Sequence, residues 1–188
     1  MKIVVEVMGG IEPAYTFVKR SLEAGKSVAT SNKALVAKHG AELLSIARDR
    51  NLNFLFEASV GGGIPVLHPL TQCMAANRID EVYGILNGTT NYILTRMVRS
   101  GASFEDALRE AQKKGYAEAD PTADVEGIDA GRKICILADL AFGRQVDPER
   151  VPWRGLPGFP FRTWRSHGRR GIGSSCWACG PPAGRCMQ

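Results

Sequence analysis

Apolar and polar positions follow two rhythms over residues 1–150. Ile3 to Val7 is a short apolar run that ends at Gly9-Gly10, which predicts a strand and a turn. Glu12-Pro13 opens a helix, with proline near the first turn, where its missing N–H does no harm. Phe17, Val18 and Leu22 continue that helix, and Gly25 stops it. Ser27 to Thr30 reads as a second strand. Ser31 or Asn32 is placed to cap a helix in which Leu35, Val36, Leu43, Leu44 and Ile46 recur at helical spacing. Asn53 to Phe56 makes a third strand. This β–α–β–α–β rhythm predicts parallel strands in a doubly wound sheet.

Beyond residue 57 the pattern changes. Gly61-Gly62-Gly63 predicts a turn into a helix near Val66 to Ala76, and Ile79 to Leu86 predicts a strand. Thr89 to Val98, Phe104 to Lys113 and Ile128 to Phe142 carry helical spacing, with Thr89 or Thr90 available as a cap. The expected class is α/β. A partial doubly wound, Rossmann-like sheet over 1–57 precedes an α+β segment over 58–150.

Composition separates residues 151–188 from the rest. The chain carries 24 basic and 19 acidic residues, for a net charge of +5. Arg154, Arg162, Arg165, Arg169, Arg170 and Arg185 lie in this last segment, which has no Asp, Glu or Lys. The remaining 18 basic residues face 19 acidic ones, so residues 1–150 are close to neutral and nothing there points to nucleic acid. All three tryptophans also fall after residue 150. Gly, Pro, Arg, Trp and Cys together are what a GC-rich coding strand yields in a shifted frame, so this tail is expected to be aberrant and disordered. A zinc site is the functional alternative: Cys176, Cys179 and Cys186 supply three thiols, with His167 at an unusual spacing. Cys73 and Cys135 sit in apolar contexts that suit buried thiols in a reducing cytoplasm. No run of eighteen apolar residues spans a membrane, and Glu6 interrupts the start too early for a signal peptide.

The densest chemistry runs from Gly115 to Asp124 and on to Asp129 and Lys133. Asp129 and Lys133 are four apart, so on a helix they share a face one turn from each other. In isolation such a pair is a surface ion pair worth a few tenths of a kcal/mol. Here the surrounding helix is mostly apolar, and the preceding loop brings Glu118 and Asp124 toward its start. Three carboxylates and an amine suit a substrate that carries an ammonium group beside a carbonyl to be polarised.

The segment GYAEADPTADVEGIDAGRK resembles the signature of homoserine dehydrogenases, which interconvert aspartate 4-semialdehyde and homoserine with NAD or NADP. VVEVMGGIEPA, SVATSNKALVAKHG, FEASVGGGIPV and ILNGTTNYIL match the family in order and spacing, so the resemblance covers essentially all of 1–150. It implies an oxidoreductase of threonine and methionine biosynthesis, cytoplasmic and homodimeric. It implies that Lys133 donates a proton to the aldehyde oxygen, with Asp124 in the same catalytic pocket. Glu118 and Asp129 are implied to hold the substrate amine. Lys33 and Gly115 are implied to lie against the cofactor. Glu57 and the backbone carbonyls of Val60, Gly62 and Ile64 are implied to bind a monovalent cation, sodium, although a plain Gly-rich turn explains that loop equally well. Asn87 to Asn91 is implied to lie near the active site.

The chain departs from the family in having no G-x-G-x-x-G turn, which in the family holds the cofactor pyrophosphate. The expectation is a truncated enzyme with its catalytic groups present, part of its cofactor cradle missing, and apolar surface exposed. Two rivals remain: a related semialdehyde dehydrogenase, and a non-catalytic fragment that keeps only a dimerising sheet.

Overall fold

The structure is a computed structural model that describes residues 2–153, 155 and 156, together with the backbone of 176–180 and 185–187. It divides into two compact units, residues 1–79 with 132–150, and residues 80–131 with 151–188.

The first unit holds a parallel sheet of β1 (Ile3–Glu6), β2 (Ser27–Thr30) and β3 (Phe54–Leu55), in that order. Helix α1 (Ala14–Glu23) joins β1 to β2, and α2 (Lys33–Asp49) joins β2 to β3. Parallel neighbours need such crossovers, and the expected β–α–β–α–β order is what forms. Ala14, Val18 and Leu22 recur every fourth residue and are the buried stripe of α1. The buried stripe of α2 is Leu35, Val36, Gly40, Leu43 and Ala47. Asn32, rather than Ser31, caps α2: its side-chain oxygen accepts the Leu35 N–H at 3.1 Å.

The helix expected over Val66 to Ala76 is shorter and wider than its spacing implies. Residues Pro69–Cys73 form one turn, closed by Met74 N donating to the Pro69 carbonyl at 3.1 Å. Bonding to the fifth residue back is the mark of a wide turn. Pro69 also has no N–H with which to continue an ordinary ladder.

In the second unit, β4 (Val82–Ile85) precedes α3 (Gly88–Ser100), α4 (Phe104–Lys113) and a short α5 (Thr122–Val125). Helix α6 (Ile128–Phe142) starts in this unit and continues in the first. Asn87 caps α3, accepting Thr90 N–H at 2.8 Å, so the cap is neither Thr89 nor Thr90. The core here is Ile93, Ala107, Ala111, Ala117 and Val125, with Tyr92 and Phe104 packed against it.

The disorder expected of residues 151–188 falls largely on residues outside those described, and only its described positions can be placed. Val151 is buried, Leu156 packs on the second core, and the Trp153 ring lies against Gly131. Strand β5 (Cys176–Gly180) pairs antiparallel with β4, and β6 (Arg185–Met187) pairs antiparallel with β5, in the order β4–β5–β6. His167 and the side chains of the tail cysteines lie outside the described residues, and the zinc alternative with them. Cys135 is buried as expected, while Cys73 is exposed at the end of the wide turn.

Candidate active site

Two of the three carboxylates expected from sequence meet at one amide. Asn87 precedes α3, Asp124 lies in α5, and Asp129 stands in the first turn of α6. Asn87 Nδ2 donates to Asp124 Oδ1 at 2.7 Å and to Asp129 Oδ2 at 3.0 Å. Its Oδ1 accepts the Thr90 N–H at 2.8 Å and the Thr90 hydroxyl at 3.0 Å. Asn87 is 6% and Asp129 5% exposed, while Asp124 is half-buried. The site therefore presents two carboxylates, one deep and one toward solvent, joined by a neutral donor.

Local bonds shape the loop that delivers these groups. Gly115 has φ +74 at the end of α4, and Tyr116 N–H reaches back to the Ala111 carbonyl at 2.9 Å. This left-handed closure of a helix favours glycine without any cofactor. A Cβ on Gly115 would meet nothing within 4 Å, so the open side of this residue remains available to a ligand. Thr89 Oγ1 holds the Tyr116 carbonyl at 2.8 Å, and Gln112 Nε2 holds the carbonyl of Glu118 at 3.2 Å. Glu118 itself is exposed. Asp120 accepts both the hydroxyl and the N–H of Thr122, at 2.6 and 3.1 Å, and so starts α5. The Thr122 hydroxyl, then its N–H, holds the Asp120 carboxyl below its usual range.

Lys133 is half-buried on α6, one turn beyond Asp129 in sequence. Lys33 is the first residue of α2, half-buried, in the first unit. Its position follows from a buried network at the carboxyl ends of β1 and β2. Glu6, 4% exposed, accepts Met8 N–H at 2.6 Å and the Thr30 hydroxyl. The same hydroxyl oxygen accepts Asn32 N–H at 2.9 Å, and Asn32 Nδ2 donates to the Gly10 carbonyl at 2.6 Å. Ligands of open α/β sheets bind at this edge.

In the first unit, Glu57 accepts three backbone N–H groups: Val66 and Leu67 at Oε1, the latter at 2.8 Å, and His68 at Oε2, at 2.7 Å. Burial pushes its carboxyl up, but the three N–H donors outweigh this and hold it below the ordinary range. A Cβ on Gly61 would lie 2.5 Å from the Ile64 carbonyl oxygen, so the curl of this loop excludes any larger residue. Among the described residues, no group of three or more His, Cys, Asp or Glu is placed to hold a metal. No helix among them is long and apolar enough to cross a membrane.

Residue types and spacing point to Lys133, Asp124, Asp129 and Glu118 but give Asn87 no role beyond its neighbourhood. The signal available is an asparagine two residues before Thr89-Thr90 at a helix start, which reads first as a cap. Glu6 is a buried residue of the sheet edge that the pattern does not single out; its signal is a carboxylate inside an apolar strand.

The family profile described as "Homoserine dehydrogenase" matches residues 65–171, more than half of the chain. The chain belongs to the homoserine dehydrogenase family. A second profile, "Homoserine dehydrogenase, NAD binding domain", matches residues 1–57. Homoserine dehydrogenase of Synechocystis sp. is 51% identical over 154 residues, 82% of this chain and 36% of that protein. The Corynebacterium glutamicum homoserine dehydrogenase is 53% identical over the same share of this chain and 35% of its own length. The chain thus spans about a third of the length of these relatives. The crystal structure of a homoserine dehydrogenase from Thiobacillus denitrificans superposes with a TM-score of 0.89 at 43% identity, over 97% of this chain and 42% of that one. A hyperthermophilic archaeal homoserine dehydrogenase in complex with NADPH gives 0.82 at 28% identity, over 98% and 53%. Family and fold agree with the resemblance drawn from the motifs.

Proposed function

We propose that this chain carries the substrate-binding groups for NAD(P)H-dependent interconversion of L-aspartate 4-semialdehyde and L-homoserine. The observation that carries the reading is the bridged pair Asp124 and Asp129, an anionic site suited to the ammonium of an amino-acid substrate. Glu118, exposed on the loop before α5, adds a third carboxylate for the same amine. Lys133 is the proton donor: its ammonium hydrogen-bonds the aldehyde oxygen as negative charge develops and releases its proton there. Asp124 is the second group assigned to that step.

Lys33 and Gly115 are the residues that would lie against a nicotinamide nucleotide, which supplies the hydride when bound. Their placement fits: Lys33 stands at the ligand-binding edge of the parallel sheet, and Gly115 has open space where a side chain would be. A sodium ion fits the loop after Glu57, with oxygens from Glu57, Val60, Gly62 and Ile64. Three of the roughly four lone-pair sites of the Glu57 carboxylate are already engaged, so it can lend a cation one more. Exposed Tyr83 and Ile85 on β4 support a homodimer built on that strand. A cytoplasmic setting accords with Cys73 as an exposed free thiol.

The test is NADPH oxidation with aspartate 4-semialdehyde, using this chain and a version extended N-terminally by a family nucleotide-binding segment. Lys133→Ala in the extended protein is expected to lower the rate about 10²- to 10⁴-fold. An extended protein that folds but shows no turnover would sink the assignment and leave the dimerising fragment in front.

A further inference from the structure

We infer that the groove between α2 and α6 is a binding site for a medium-chain alkyl carboxylate, its tail along the groove and its head on an arginine at one end. None of the groups assigned to the reaction lines this groove.

Two helical stripes build it. Val36, Gly40 and Leu44 recur every fourth residue on α2, and Ile136 and Leu140 do so on α6. Both stripes line one cavity of about 330 Å³, together with Phe56, all within the first unit. That volume is in the range of small-molecule sites. At the roughly 30 Å³ that a water takes in the liquid, it holds about ten non-hydrogen atoms, the size of an eight-carbon acid.

The cations stand toward the ends of the groove. Arg48 borders it from the last turn of α2, and Arg144 from just beyond α6. Gln145, next to Arg144, donates to the Lys38 carbonyl at 3.2 Å, which puts Arg144 by the first half of α2. Lys38 and Arg48 are ten residues apart on α2, about 15 Å of helix. Among the described residues, neither guanidinium makes a hydrogen bond or an ion pair. Arginine near the end of a helix complements the helix dipole, but that role leaves the apolar groove between the two unexplained. Asp139 is the acidic residue of the lining. Its carboxyl already accepts the Val146 N–H at 2.6 Å, and burial pushes it up to about 7. It therefore opposes an anion less than an exposed aspartate would. Two guanidiniums against one such carboxyl favour an anionic head, and the planar guanidinium fork matches a carboxylate. The apolar walls favour an alkyl body.

The experiment titrates the 188-residue chain with octanoate, octan-1-ol and octylammonium, within their solubility, following the amide resonances of Leu44 and Leu140 by NMR. Octanoate is expected to saturate and to bind about ten- to a hundredfold more tightly than the alcohol, as one charge-assisted contact provides. In a variant carrying both Arg48→Gln and Arg144→Gln, that difference is expected to vanish while binding of the alcohol stays. Ala41→Leu enlarges a lining residue and leaves the charges in place, so it is expected to weaken both ligands at least about tenfold. Equal binding of acid and alcohol by the wild type overturns the inference, as does a preference that survives removal of both arginines. Tighter binding of octylammonium overturns it too and makes Asp139 the receptor. No saturable shift at Leu44 and Leu140 leaves the groove a packing space and nothing more. The three ligands on the wild-type chain decide the matter even if a variant fails to fold.

Discussion

Glu57 shows how a residue nominated for one role can be fully employed in another. Its carboxylate receives three successive N–H groups, from Val66, Leu67 and His68, at the start of the wide turn. Because those donors hold its acidity below the ordinary range, the stability it contributes is complete above that range and is lost as pH falls through the folded-state value. Glu57→Gln replaces one acceptor with an NH2 that faces N–H groups, and is expected to cost about 1–3 kcal/mol at neutral pH. Urea unfolding at pH 7 and near pH 4 checks this: the deficit of the variant should shrink at the lower pH as the wild-type carboxylate takes up protons. A deficit independent of pH would mean that the charge is not what matters there. At this scale the sequence was legible where residue type and spacing both spoke, as for Asp129 and Lys133, four apart on α6. It was silent on Asn87, since an asparagine before a helix looks the same whether or not its amide reaches two distant carboxylates.

Elements with a strong period were read closely. Strand β2, helix α4 and helix α6 form over the residues expected of them, Ser27–Thr30, Phe104–Lys113 and Ile128–Phe142. Helix α5, at four residues, is too short to show a period, and Pro69 concealed the wide turn. The end of α6 carries a feature that no period reveals. Asp139 accepts the Val146 N–H at 2.6 Å and ties the chain back after the helix stops. It lines a pocket of about 330 Å³ with Leu44, Phe56 and Leu140, and Arg48 and Arg144 also border it. Burial in these surroundings pushes its carboxyl up to about 7, against the pull of the Val146 N–H. The native state therefore binds a proton that the unfolded chain has released. Stability from this group is present below the ordinary carboxylate range and falls as pH rises toward about 7, after which it levels. Asp139→Asn keeps an oxygen for Val146 and cannot ionise. It is expected to be more stable than the wild type at pH 8 and to exceed it by less at pH 5, as read by chemical denaturation. A wild type whose stability does not fall between those pH values would show that Asp139 is hydrated well enough to ionise freely.

For the whole molecule, the order of strands and helices was legible to about residue 150, and the pairing of β5 and β6 in the segment beyond it was not. Composition marks that segment as foreign to the rest, but composition does not say whether a strand edge such as that of β4 will accept it. The edge of the first sheet raises the same physical issue in reverse. Strand β1 pairs on one side with β2, and it ends the described sheet on the other. Ile3, Val5 and Val7 are 62%, 68% and 76% exposed, while Val4 is half-buried and Glu6 is buried between them. An apolar row beside open strand hydrogen-bonding groups is a template for another chain. The 188-residue chain is accordingly expected to self-associate with rising concentration. Val5→Lys places a charge in the middle of that row without touching the buried positions. It is expected to lower the association measured by sedimentation equilibrium while leaving the unfolding midpoint unchanged. If Val5→Lys associates as strongly as the wild type, the contact lies elsewhere, and Tyr83 and Ile85 on β4 become the surface to alter next.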